Sequence, residues 1–328
     1  MKKLLALILA LSLTLLALTA CSTEDPPVEE AKQIRVGYMS GPTGMGMAKL
    51  IHDNGGKDGN DKYQFKSYDN TALATADLLA GNIDVICIPT NDAATNYSKT
   101  KDISVLAINT LNTLFLLTDE NTEIKSFDEL NGKTVYTCKN GTPRIILQHL
   151  LDAAGVNATI STSIDGKEIL TPKDLGAKIV AGEVDIAVAP EPIVTSSTLE
   201  RKAAQKSAYS IDLNLDTVWK SIHTTELTMG CVVATTAFTS ANKNLVNQFL
   251  DEYKASINFI ADSKNADTAA EYIVEAGIMA KAPAAKSALK NLGNSIAYID
   301  GADMKASLVG FYQAIGIALP DDNFYYEK

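Results

Sequence analysis

The feature that most constrains this chain is a short design it uses twice. Residues 78–90 read LLAGNIDVICIPT and residues 179–191 read IVAGEVDIAVAPE. Each is a pair of apolar residues, Ala-Gly, a polar position, an apolar one, Asp, and then an apolar run that reaches a proline. A helical pattern that stops at glycine uses the residue best able to adopt the left-handed conformation at a helix end. The continuous apolar run that follows suits a strand buried on both faces. Two copies so far apart in the chain point to two lobes built on one plan, although the matched stretch is too short to establish duplication.

The rest of the chain keeps the same rhythm. IRVGYMS (34–40) reads as a strand, MGMAKLIHDN (45–54) as a helix, YQFKSYD (63–69) as a strand and 71–81 as a helix before DVICIPT. An extended stretch, ISVLAINTLNTLFLLTD (103–119), follows. A second cycle runs through a turn at SFDEL, a strand at KTVYTC (133–138), a helix at RIILQHLLDAAG (144–155), a strand at ATIST, a helix over 174–181 and the strand VDIAVAP. TMGCVVATTA (228–237) adds a strand, and from Ser240 the pattern is mainly helical. Alternation of this kind predicts an α/β fold of parallel sheets flanked by helices.

Before the first strand the chain reads as a secretory leader. Lys2 and Lys3 precede an apolar stretch from Leu4 and small residues ahead of Cys21. The stretch is short for a spanning helix of ~20 residues. Leu18-Thr19-Ala20-Cys21 resembles the bacterial lipobox, which implies removal of residues 1–20, acylation of Cys21 and attachment to the membrane by that lipid alone. Residues 22–33, with four acids and two prolines, read as a solvated tether. Without Lys2 and Lys3 the chain has 27 basic against 39 acidic side chains, a formal charge of −12. That balance argues against a nucleic-acid partner. Roughly 300 remaining residues exceed the usual single core and predict two domains.

Candidate ligand residues lie where strands lead into helices, because in open α/β sheets ligands bind at the carboxyl ends of strands. Ser40, Gly41, Thr43, Gly44 and Met45 join the first strand to the first helix, where glycines let backbone N–H groups approach a ligand. The alternative is an ordinary turn. The segment is not a P-loop, since Met47-Ala48 follows Gly46 where Lys and Ser or Thr would stand. Lys139, Asn140, Gly141 and Thr142 occupy the matching place in the second cycle, as anion or carbonyl donors or as helix caps. Asn70, Thr71, Thr90 and Asn91 are either ligand contacts or caps. Glu191 ends the second-lobe strand and could accept N–H donors. Tyr38 could stack on a planar ligand or fill the core. His52, His149 and His223 form no metal-binding spacing, and Cys87, Cys138 and Cys231 form no CxxC. Cys87 reads as a buried thiol. No cofactor motif and no nucleophile elbow is present, which speaks against catalysis.

IRVGYMSGPTG, LLAGNIDVICIPT, SFDELNGKTV and VAGEVDIAVAPEP together resemble the periplasmic-type solute-binding proteins of ABC importers, in the two-lobed class with two crossovers. The resemblance is strongest to the branch that binds sulfonates, nitrate and thiamine pyrimidine precursors. It implies two Rossmann-like lobes joined by two crossover segments, with residues 34–118 and 236–328 in lobe one and 119–235 in lobe two. It further implies a monomer that closes a cleft on a small-molecule solute and delivers it to an ABC permease. An enzyme on the same fold, akin to a pyrimidine-precursor synthase, and an extracellular sensor remain as alternatives.

Overall fold

The computed structural model describes residues 31–328. The expected leader 1–20, Cys21 and most of the tether lie outside the described residues. Strands β1 (Ile34–Met39), β2 (Tyr63–Tyr68), β3 (Val85–Pro89) and β4 (Ser104–Thr110) open the larger sheet. The chain then leaves for a second sheet with β5 (Leu114–Thr118), β6 (Thr134–Tyr136), β7 (Thr159–Ser161), a small hairpin of β8 (Ser163–Ile164) and β9 (Lys167–Glu168), β10 (Ile186–Pro190) and β11 (Ser210–Asn214). It returns with β12 (Gly230–Ala234) and adds β13 (Ile296–Ile299).

The six-stranded order is β13-β4-β12-β3-β1-β2 and the five-stranded order is β11-β5-β10-β6-β7. Both contain the same series. A first strand (β1, β6) lies between the second (β2, β7) and the third (β3, β10), the third pairs with a strand arriving from the other lobe (β12, β5), and a further strand closes the series (β4, β11). The repeated design of the sequence falls on β3 and β10, which hold equivalent places. Gly81 and Gly182, at φ +72° and +80°, end the helices before them.

The expected parallel pairing holds for β1 with β2 and β3, and for β6 with β7 and β10. The visiting strands are antiparallel: β12 against β3 and β4, β5 against β10 and β11. A strand that enters a sheet from the opposite lobe arrives from the end where the resident strands finish, so it runs against them. The changes of sheet occur at 111–113 and between 214 and 230, both ahead of the expected boundaries after 118 and 235. β13 also interrupts the segment read as helical.

Alternation along the strands covers both faces of the larger sheet. Val85 and Cys87 join Ile34, Val36 and Tyr38 under the helices Ala48–Asp53, Lys243–Ala261 and Ala266–Glu275. Ile86 and Ile88 face a second core that reaches from Tyr97 and Phe311 through Leu114 to Leu147 and Trp219. This second core is continuous across both lobes, with Phe311 of the helix Gly301–Ala314 and Trp219 of the helix Leu215–Ile222 at 5.7 Å between ring centroids. Each fully buried Val, Leu or Ile contributes roughly 1.5–3 kcal/mol, so the lobes share a substantial apolar seam behind the strand ends.

Candidate functional site

At the end of β1 the loop is divided between packing and open space. Gly44 packs directly on the strand, since a Cβ there would lie 2.1 Å from the Met39 carbonyl oxygen. Met45 is wholly buried in the core. Thr43 gives its carbonyl to Asn109 Nδ2 at 3.2 Å, and its methyl covers Gly230. Gly44 and Met45, expected as ligand contacts, are therefore packing positions, because the helix Pro42–Met45 is so short that it rests on its own strand. Gly41, at φ +132°, has no atom within 4 Å of where a Cβ would stand. Ser40 is exposed and donates its hydroxyl to Asp69 at 2.7 Å. Tyr38 belongs to the core: it follows Ile34 and Val36 onto the helix-covered face and donates to the Ala276 carbonyl at 2.8 Å.

Asn70 caps the helix Thr71–Leu79 by accepting the Leu73 N–H at 3.1 Å, with Thr71 half-buried beside it. Thr90 is fully buried and committed: its hydroxyl donates to Thr228 O at 2.9 Å, and its carbonyl accepts Tyr312 Oη at 2.9 Å. These bonds pin the start of the helix Thr90–Thr100 to the rest of lobe one, so Thr90 serves as an anchor and not as a free donor. Asn91, one residue on, is 6% exposed and donates to Asp92 Oδ1 at 2.9 Å. Burial pushes the Asp92 carboxyl above the usual carboxylate range.

In lobe two, the charge of Lys139 is answered by Glu168 on the hairpin, and its N–H donates to Ile169 O at 2.7 Å. Asn140 is exposed, its N–H reaching Leu170 O at 3.3 Å. The β8–β9 hairpin and the residues after it claim both side of this turn's chemistry, a claim the sequence could not reveal. Gly141, at φ +95°, turns the chain into the helix Thr142–Ala154. Thr142 is 5% exposed, and its hydroxyl donates to Asn91 Oδ1 at 2.8 Å. Two candidates from different lobes thus meet at the first turns of their helices, where free N–H groups and the positive dipole end favour acceptors.

A groove of about 500 Å³ lies elsewhere, between the end of the helix Lys243–Ala261 and the helix Ala282–Leu292. Helix bodies, helix ends and the first residue of β13, Ile296, line it, and not the carboxyl ends of strands where ligands of open α/β sheets bind.

The NMT1/THI5 like family model matches residues 93–266. The chain belongs to the NMT1/THI5-like family. No curated protein matches it in sequence. Among solved structures it is similar to an ABC transporter from Parabacteroides distasonis, at a TM-score of 0.71 and 21% identity over 91% of this chain and 100% of that one. It is also similar to the periplasmic aliphatic sulphonate binding protein from Escherichia coli, at 0.67 and 17% over 91% and 93%. The periplasmic nitrate-binding protein from Synechocystis PCC 6803 matches at 0.60 and 13% over 84% and 75%. At these identities the likeness establishes the two-lobed fold.

In this NMT1/THI5-like protein a second contact joins the lobes. Glu191, wholly buried after β10, accepts Asn291 Nδ2 at 2.7 Å, the Thr195 hydroxyl at 2.8 Å and the Thr195 N–H at 3.1 Å. Burial raises the carboxyl above its ordinary range, while the Asn291 and Thr195 donors pull it back. Asn291 comes from the helix Ala282–Leu292, and no feature of the sequence singles it out. Also hidden by sequence distance, His149 and His223 meet with their Nε2 atoms 2.7 Å apart, and burial lowers both imidazole pKa values.

Proposed function

We propose that this protein captures a small polar or heteroaromatic solute between its lobes, outside the cell membrane, and hands it to an ABC permease. The observation that carries the reading is the bond from Thr142 to Asn91, which brings the N-terminal turns of one helix from each lobe to a common point. A solute inserted there meets hydrogen-bonding groups from both lobes, the arrangement that drives hinge closure. Gly41 and Ser40 supply an open edge at the end of β1, where Ser40 bonds Asp69, two residues before Thr71. The fold shared with the ABC transporter and with the sulphonate and nitrate binding proteins supports the reading.

Binding is favoured over catalysis by how the reactive groups are used. The Thr90 hydroxyl is spent on a backbone carbonyl, and Glu191 receives the Thr195 N–H at the start of the helix Ile193–Ala203 as a capping acceptor would. Mass spectrometry of the solute that co-purifies, followed by melting with that solute, tests the proposal. At a hundredfold excess over Kd the native state gains roughly 2.7 kcal/mol. Turnover of the bound compound would instead establish an enzyme.

The location rests on the leader. We propose that Cys21 is acylated and that residues 22–33 tether the folded part to the membrane surface, with the protein acting as a monomer. Cys21→Ala is expected to release the protein or leave its precursor uncleaved, and a full-length, unmodified product from the unaltered gene would refute the anchor.

A further inference from the structure

The chain has three histidines, and two of them, 74 residues apart, meet tip to tip. His149 Nε2 and His223 Nε2 are 2.7 Å apart, their ring centroids 4.9 Å apart and their planes 27° from each other. His149 stands on the helix Thr142–Ala154, and His223 ends the helix Leu215–Ile222, where the chain sets out toward β12. Trp219 packs beside both rings, at 5.5 Å from His149 and 4.3 Å from His223. Both imidazoles are half-buried, so that Trp219 fixes their bodies while solvent reaches their surroundings.

Two Nε2 atoms at this distance have room for one proton, which neutral rings accommodate by taking opposite tautomers. If that proton moves through solvent to the Nδ1 of its own ring, the pair becomes two neutral nitrogen donors facing one point, with no net proton released. Neutral imidazole nitrogen is the donor that zinc, nickel and copper ions favour. Bonds of about 2.0–2.1 Å in tetrahedral geometry separate two such nitrogens by roughly 3.3 Å, so the rings must part by about 0.6 Å and tilt away from their near head-on approach. Among the described residues no third His, Cys, Asp or Glu joins them in a cluster, which leaves the remaining coordination positions to water. Asp152, one turn beyond His149, and the acidic balance of the chain draw cations toward the pair.

We propose that His149 and His223 form a two-imidazole site for a divalent transition-metal ion such as Cu²⁺, Ni²⁺ or Zn²⁺. A metal there staples the helix that begins with Thr142 to the passage returning to lobe one. The site stands apart from the proposed solute contacts and does not depend on them.

Trp219 is the one tryptophan in the chain and lies beside the site, so its fluorescence reports occupancy. The purified, untagged protein is stripped with chelator and titrated with CuCl₂. Saturable quenching near one equivalent is expected, with no change on adding MgCl₂. His149→Ala and His223→Ala, checked by circular dichroism, should each lose the saturable phase, while His52→Ala should keep it. Calorimetric titration of the unaltered protein with ZnCl₂ gives a measurement independent of any variant, with a single site expected. Absence of binding in both titrations, or unchanged saturation in a folded His149→Ala/His223→Ala double variant, overturns the proposal.

Discussion

Thr142 Oγ1 donates to Asn91 Oδ1 over 2.8 Å, and this bond ties the first helical turn of lobe two to the first turn of a lobe-one helix. Both residues are more than nine-tenths buried. Removing one partner strands the other, which costs about 1–3 kcal/mol, whereas removing both is far milder. Thr142→Val and Asn91→Leu should each lower stability, and the double variant should lose less than the sum. Chemical denaturation of the four proteins gives the coupling, for which about 0.5–3 kcal/mol is expected. Additive losses would show that the bond joins nothing.

Gly44→Val is expected to fail as a probe of ligand contact. Its Cβ would stand 2.1 Å from the Met39 carbonyl oxygen, so the helix Pro42–Met45 must lift off β1. Overpacking of this kind costs about 1–3 kcal/mol or more. Thermal melting should show the loss in the absence of any solute, and an unchanged melting temperature would contradict the close approach.

Glu191 predicts a pH dependence with a definite sign. Its carboxyl titrates above the ordinary value in the folded protein, chiefly through burial. The folded state therefore binds the proton more tightly than the unfolded chain, so the contribution is fully present below the unfolded pKa of ~4.3 and is lost as pH rises through the folded value. Glu191→Gln removes the charge, and a flip of the Asn291 amide preserves the hydrogen bonds. Melting curves should show the variant gaining on the unaltered protein as pH climbs from mildly acidic to neutral. A constant difference would remove Glu191 as the titrating group.

The three cysteines of the folded part should be inert. Each is fully buried, and burial pushes the thiols up, to about 12 for Cys87 and about 11 for Cys138. Iodoacetamide at mildly alkaline pH should leave all three unmodified in the native state and alkylate them after denaturation, as read by peptide mass spectrometry. Rapid native labelling of any one would place it on a mobile surface.

The lobes were legible because their signals are local. Gly81 and Gly182 end helices by a backbone rule, and the apolar runs after them are strands buried on both faces. The family resemblance supplied the two crossovers. What stayed hidden was who meets whom. The sequence leaves Tyr38 open between stacking on a ligand and filling the core, which its place on the helix-covered face of β1 decides, and it offers Lys139 as a donor without showing the hairpin that presents Glu168. Asn291 and His223 carry no motif at all. Their roles come from partners 100 and 74 residues away, and no periodicity encodes such distances.

The visiting strands also govern how the chain can acquire its shape. β3 has no neighbour on one side until β12 arrives, and Val85 pairs with Ala234 at the far end of an excursion through the whole second sheet. Lobe one is not a contiguous stretch that could be severed and kept, because the whole of lobe two is inserted between β4 and β12. Pairings of such sequence separation form late and slowly, since the loop must close before the contact rewards it. The nascent chain thus carries a bare β3 edge throughout synthesis of lobe two, an unpaired row of backbone groups open to mispairing. Once β12 docks, the β3 edge is covered and β4 joins the larger sheet through it.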